Sequence, residues 1–325
     1  MTNARHLIPA GSLSLALALA AQPALAEGVP AGTLIENTAS ASYSEDGGAM
    51  QSVDSNNVVI QVAELLDVTL VSQDASAVPI GSGSAVLTFE MTNTGNGPEA
   101  FNLTADPAVA GNPYDVTVTG IAYDSNGNGI YDPGVDVILA AGDATPELAA
   151  DEKLTVFVLV NAPADITDGE TTEVNLLAEA VTGTGTPGTT FPGEGVDGSD
   201  AVVGTTSADA DDNGPLIATI ATLTLVKSAS IADPFGGTQP VPGAVVTFTI
   251  AASVSGSGSL SNLSITDAIP ENTTYAAETI TLDAGSLTDA ADGDAGEFNG
   301  TGITVLVGDA NAGDNFTVTF DVTID

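Results

Sequence analysis

The chain has 325 residues, with 43 Asp and Glu against 3 Lys and Arg, a formal net charge of −40 at pH 7, and neither cysteine nor tryptophan. Such a surface repels phosphate backbones and anionic headgroups, which argues against nucleic acid and membrane-surface binding, and it attracts divalent cations. Without cysteine there is no disulfide framework. The 43% of hydrophobic residues alternate along the chain, which argues against the disorder that acidity alone would suggest.

Arg5 and His6 precede an apolar run from Leu13 to Ala21, and Ala24-Leu25-Ala26 follows as an A-x-A cleavage site. Residues 1–26 therefore read as a secretory signal peptide, with the exported chain starting at Glu27 and residing outside the cell or on its surface. The run is shorter than the roughly 20 residues of a spanning helix, and no second run of that kind follows. No membrane insertion is expected once the signal is removed.

Residues 27–65 predict a pair of strands, "GTLIENTASASYS" and "NNVVIQVAE". Ile35, Ala39, Ala41 and Tyr43 share one face of the first, and Val58, Ile60 and Val62 one face of the second. Such a terminal strand can complete its own sandwich or pair with the edge of a neighbouring copy. The second strand, close by in sequence, favours the first option.

Residues 66–208 predict a larger module with strands near 66–72, 85–93, 100–104, 114–123, 135–139, 153–161 and 172–181. Leu87, Phe89 and Met91, and Leu154, Val156, Val158 and Val160, alternate with polar or small residues. Short alternating strands separated by Gly, Pro, Asn and Asp predict a sandwich of two antiparallel sheets. No window shows the spacing of an amphipathic helix, so the chain is expected to be all β.

Within this module, "DSNGNGIYDPGVD" carries the spacing of an oxygen-lined calcium loop. Asp124, Asn126 and Asn128 stand at its first, third and fifth positions, Gly129 at the turn, Ile130 where a backbone carbonyl is used, and Asp132 at the ninth. Val135 stands where the helical calcium loop has its bidentate acid, and Asp136 comes one residue later. The bland alternative is a hairpin loop, for which Asn-Gly is the common signal. The series of spaced oxygens favours calcium, held with the modest affinity of extracellular modules. A second cluster, Asp289, Asp292, Asp294 and Glu297, lacks such spacing and reads as a solvated acidic loop.

Residues 209–220 interrupt the apolar alternation and read as a linker. Residues 221–325 predict a second module, with strands near 221–228, 244–254, 260–266, 278–282, 302–307 and 315–324. Lys227 continues the face of Leu223 and Leu225; it is expected at a strand end, reaching solvent or a carboxylate and forming no covalent crosslink.

The run "LTLVKSASIADPFGGTQPVPGAVVTFTI", followed by "LSITDAIPENTTYAAETITL", "LTDAADGDAG" and "NFTVTFDVTID", closely resembles the bacterial surface-protein repeat called the DUF11 domain. The resemblance covers essentially all of 221–325, and "AGTLIENTASASY" and "FEMTNTGNGPEAFNL" look compatible with it upstream. It implies tandem immunoglobulin-like antiparallel β-sandwiches displayed outside the cell, and it carries no agreed activity. "TIAASVSGSGSLSNLSITD" departs from the family by lacking its Asn-rich turn.

Catalysis finds little support. The only histidine is His6, inside the signal, so the usual nucleophile and base pairs have no members. The 5 Tyr and 9 Phe stand largely on alternating faces, leaving few sugar-stacking platforms. The expected function is a non-enzymatic structural or adhesive protein, with itself, as oligomer or filament, or other surface components as partner. A secreted or periplasmic ligand-binding sandwich is the alternative, and an enzyme acting on polysaccharide comes third.

Overall fold

The computed structural model describes residues 28–46 and 48–325; the signal segment and the start expected at Glu27 lie outside them. The chain is all β. Among the described residues no helix is long and apolar enough to cross a membrane.

The first strands are β1 (Leu34–Asn37), β2 (Ser40–Tyr43), β3 (Gln51–Asp54) and β4 (Val58–Gln61). β1 pairs antiparallel with β4 and β2 with β3, making one long interrupted hairpin. Ile35 stands opposite Ile60, and Ala41 opposite Val53, so each pair shares a face. Every residue of the four strands is exposed. The apolar face that the sequence predicted exists, but among the described residues it packs on nothing.

Module 1 contains β5 (Glu64–Leu66), β6 (Val68–Ser72), β7 (Val78–Ile80), β8 (Ser84–Asn93), β9 (Phe101–Asp106), β10 (Thr117–Tyr123), β11 (Val137–Ile138), β12 (Lys153–Asn161), β13 (Thr171–Ala180), β14 (Thr190–Phe191), β15 (Ala201–Val203) and β16 (Asp209–Ala218). One sheet has the order β11-β10-β12-β8-β6 and the facing sheet β7-β16-β13-β9, while β14, β15 and β5 form a small third sheet. Pairing is antiparallel except at β15 with β5 and β16 with β7. The two main sheets carry the strand order of an immunoglobulin-like sandwich, four strands facing the last two and the third. The core lies where their inward residues meet, around Leu87, Phe89, Met91, Val156, Val158, Leu176 and Leu216.

The stretch 209–220, expected as a linker, is largely strand β16. Nine residues of it pair with β13, from Asp209 opposite Glu179 to Ile217 opposite Thr171. Its acids are accommodated at the surface and the sheet rim, where the Asp211 carboxylate accepts from Asn175 Nδ2 and the Asp212 carboxylate from Ser72 N–H. Gly214, Leu216 and Ala218 face inward and are buried. A side chain at Gly214 would begin 2.9 Å from Leu87 and Phe89, so glycine is what lets this strand approach the core.

Module 2 contains β17 (Ala221–Ala232), β18 (Val245–Gly256), β19 (Ser259–Ala268), β20 (Thr273–Tyr275), β21 (Thr281–Leu282), β22 (Gly285–Ser286), β23 (Gly296–Phe298), β24 (Gly302–Asn311) and β25 (Asn315–Ile324). One sheet runs β17-β18-β25-β21-β22, with β20 also on β25; the other runs β19-β24-β23. Their core is built around Ile250, Ile265, Ile303, Val305, Val318 and Phe320. Lys227 lies in the middle of β17, not at its end, because pairing with β18 continues through Ser228-Ala229-Ser230 to Ala232.

Only Thr219 and Ile220 separate β16 from β17. Asp168, in the turn before β13, accepts from Ile220 N–H at 2.8 Å, from Ser257 N–H at 3.2 Å and from the Ser257 hydroxyl at 2.5 Å. The glycine-rich turn 255–258 has its reason here. A Cβ on Gly256, whose φ is +100°, would stand 2.0 Å from Ile220 O, and one on Gly258 2.5 Å from Thr219 O.

The hairpin and the joint leave module 1 at opposite poles. Asn96, just past the end of β8, accepts at its carbonyl from Ala31 N–H and donates from Nδ2 to the carbonyls of Val29 and Ala63. Thr219 instead donates to Ile80 O, near the start of β8. The ten residues of β8 separate the poles by about 30 Å at roughly 3.3 Å per residue.

Candidate functional site

The predicted calcium loop joins β10 to β11, which pair through Tyr123 and Val137 and so bring Asp124 and Asp136 to its base. Gly127 and Gly129 have φ of +73° and +76°, the left-handed backbone that glycine adopts at little cost. They let the chain coil tightly enough for its amides to point inward.

Asp124 and Asp136 brace this coil. Asp124 Oδ1 accepts from the N–H of Asn126 and Gly127, and Oδ2 from that of Gly129 at 2.7 Å. Slight burial would raise the Asp124 carboxyl, but the amides of Gly129, Gly127, Asn126 and Asn128 together hold it below its ordinary value. Asp136, buried, accepts from Ser125 N–H at 3.1 Å and Asp132 N–H at 2.7 Å.

Asn126, Asn128 and Asp132 converge on one point. The Nδ2 atoms of Asn126 and Asn128 lie 3.0 and 2.7 Å from Asp132 Oδ2. Their Oδ1 atoms accept from Asn128 N–H and Ile130 N–H. Turning the two amides over would present two oxygens beside the Asp132 carboxylate, an arrangement a hard cation could share, at the loss of the bonds from Asn128 and Ile130 N–H. Ile130 has an exposed side chain, and Val135 is exposed as well. Among the described residues no group of three or more His, Cys, Asp or Glu is placed to hold a metal ion; the donor set here is one carboxylate and two amides.

A shallow groove of about 440 Å³ lies between β9, β10 and the 138–143 segment, lined by Leu103, Val118, Ile121, Ile138, Leu139 and Asp143 among others and by no residue of the 124–136 loop. The second acidic cluster is built into its loop by hydrogen bonds. Asp289 accepts from the Tyr275 hydroxyl at 2.5 Å and from Glu278 N–H. Burial first, and this bond to Asp289 second, push the Tyr275 phenol up to about 12. Asp294 accepts from Thr288 N–H and Gly296 N–H, which lower its carboxyl.

One acidic feature escaped the sequence reading. Glu64 is only 4% exposed. Its Oε2 accepts from Val196 N–H at 2.9 Å, while Oε1 has no hydrogen-bond partner among the described residues. Burial raises its carboxyl, the Val196 amide opposes this, and Glu99 and Glu147 add to the rise. The available signal was phase: Glu64 alternates with Leu66 and Val68, both fully buried. Lys227 carries the same signal, and its Nζ lies 2.5 Å from Asp267 Oδ2 and 4.4 Å from the Phe248 ring centre.

No protein-family model and no curated protein sequence matches the chain.

Proposed function

We propose that the chain is an exported, non-enzymatic structural protein of the cell surface or extracellular matrix, built from sandwich modules that act as stiff spacers. The carrying observation is the joint. Two residues connect the modules, and Asp168 clamps both that connection and the Ser257 turn of the next module. A short hydrogen-bonded joint transmits orientation, whereas a long flexible linker does not. Export rests on the leader-like pattern of residues 1–26. The DUF11 resemblance of 221–325 is consistent with display outside the cell.

Calcium at the 124–136 loop belongs to the same proposal. Asn126, Asn128 and Asp132 would hold it, with Asp124 and Asp136 keeping the loop in shape, and its role would be to stiffen module 1. A second reading, a secreted sandwich that binds a small ligand, is favoured by the groove between β9, β10 and the 138–143 segment.

Fractionation of native material decides between them. A structural subunit is recovered with the cell surface or in large extracellular assemblies. Recovery only as a small soluble protein would overturn the structural reading and leave the ligand-binding one.

A further inference from the structure

The base of the hairpin carries acids with no positive partner. A cavity of about 310 Å³ opens where β5 meets the β8–β9, β11–β12 and β14–β15 connections, and Glu64, Glu99, Glu147 and Glu194 all line it. The two lysines of the described residues are engaged elsewhere, Lys153 with Glu90 and Lys227 with Asp267. No side chain of the described residues therefore balances these four charges. Burial first, and then the charges of Glu99 and Glu147, raise the Glu64 carboxyl against the Val196 amide.

Two buried polar atoms at this place lack partners among the described residues. Glu64 and Ser199 are each 4% exposed, and Glu64 Oε1 and Ser199 Oγ take part in no hydrogen bond. Both side chains stand against Gly195, where a Cβ would lie 2.6 Å from Ser199 Oγ and 3.0 Å from Glu64 Cβ. A Cβ on Gly97 would lie 2.6 Å from Glu64 Oε1 itself, so two glycines admit the carboxylate here. A buried acid with an unused oxygen is costly, and in a native fold it marks an ion or a water that completes it.

We infer that this cavity binds a partly hydrated divalent cation, calcium or magnesium, with the two buried acids Glu64 and Glu99 as direct ligands and Glu147 and Glu194 reached through water. Water alone would complete Glu64 Oε1 but leave four charges facing one another, whereas the ion answers both. Its bonds to oxygen, roughly 2.0–2.6 Å, are shorter than a hydrogen bond, so it fits where a water is crowded. Glu99, 6% exposed, uses Oε1 for the N–H of Ala100 and Thr182, so Oε2 is the atom it offers. No three acids among the described residues are placed to share an ion directly, so waters complete the shell, as hard cations allow. The ion fastens the hairpin. Glu64 N–H donates to Asp200 O and Gln61 Nε2 to Asp197 O, so the 193–200 turn already clasps the end of β4. A cation shared with Glu99 and Glu147 ties that clasp to the body of module 1.

The cavity is separate from the 124–136 loop, and an Asp132→Ala background keeps the two apart. In that background, at pH 7, calcium and magnesium are each titrated by calorimetry. Amide exchange is followed with the ion, with chelator, and with sodium chloride at matched ionic strength. One ion per chain is expected. The amides of Gly32, Val62 and Glu64, which bond at the hairpin base, should exchange about a hundredfold more slowly at a hundredfold excess over the dissociation constant, because opening the base must first release the ion. Glu64→Gln should abolish binding and the slowing; it should melt above its Asp132→Ala parent in chelator and below it at that excess of ion. Glu147→Gln with Glu194→Gln, both at exposed positions, should fold like the parent and lose about tenfold in affinity, the usual effect of groups that hold a metal's water. No ion bound, slowing matched by sodium chloride, or Glu64→Gln that binds like its parent would overturn the inference. Exchange at the hairpin base that varies with pH but not with chelator would assign the balancing charge to a proton and overturn it equally. The structural reading rests on the joint and survives any of these results.

Discussion

The Ser257 hydroxyl, at the turn between β18 and β19, donates a 2.5 Å hydrogen bond to the Asp168 carboxylate of module 1. Two residues 89 positions apart thus tie the modules together through one acceptor, and the orientation between the modules is expected to depend on its charge state. The Ser257 hydroxyl first and the Ile220 N–H next hold the Asp168 carboxyl below its ordinary value, against a slight effect of burial. A depressed carboxyl contributes stability that is present above its unfolded value, about 3.9, and is lost as pH falls through the folded one. The joint is expected to be ordered at neutral pH and to loosen below about pH 4. Inter-module residual dipolar couplings should converge toward independent tensors on acidification, and at neutral pH in Asp168→Ala. Couplings unchanged by that substitution would refute the clamp.

Calcium that binds only the folded module 1 stabilises it by about 2.7 kcal/mol at a hundredfold excess over the dissociation constant. Melting should therefore rise with millimolar calcium and fall on chelation. Asp132→Ala removes the one carboxylate at the convergence point and should abolish the rise. Asp124→Ala removes three amide partners and should also lower melting in chelator. Equal melting of the parent with calcium and with chelator rules the site out.

Glu64 has the opposite sign to Asp168. Its folded carboxyl is raised by burial, so its cost to the fold is present above the folded value and is relieved as pH falls toward the unfolded one, about 4.3. Glu64→Gln keeps an acceptor for Val196 N–H and removes the charge. In chelator the variant should be the more stable protein at pH 7, and the gap should shrink as pH approaches about 4. A denaturant midpoint difference that is flat across this range would contradict the assignment.

Lys227 and Asp267 form an ion pair at 2.5 Å with 43% of the lysine side chain open to water. Amide formation between them would require an uncharged amine and an activated carboxyl, neither of which a hydrated ion pair supplies. Intact mass should equal that of the uncrosslinked chain. A deficit of one water that disappears in Lys227→Arg would show the bond.

Much of this architecture was legible because burial writes itself as alternation. β8 and β25 bury alternate residues, and β12 does so except at Phe157, buried between Val156 and Val158; the predicted limits of all three fall within a residue or so of those observed. β16 was not legible, because its inward positions include Gly214 and its outward ones are acids; a glycine admitted for close packing looks like a turn. The candidate loop was half legible. Spacing identified Asp124, Asn126, Asn128, Asp132 and Asp136, but spacing does not distinguish a carboxylate that accepts backbone amides from one left facing its neighbours. Lys227 was placed at a strand end because Ser228-Ala229-Ser230 carries no apolar signal, whereas backbone pairing with β18 needs none. The hairpin was read correctly as paired strands. That its apolar face stays bare depends on long-range packing, which no local pattern records.

Because the hairpin and the joint leave module 1 from opposite poles, each copy has a front and a back. Tension applied between the hairpin and module 2 therefore loads module 1 lengthwise along its strands, so that the backbone bonds joining β6 to β8 and β13 to β16 are sheared together and not opened one after another.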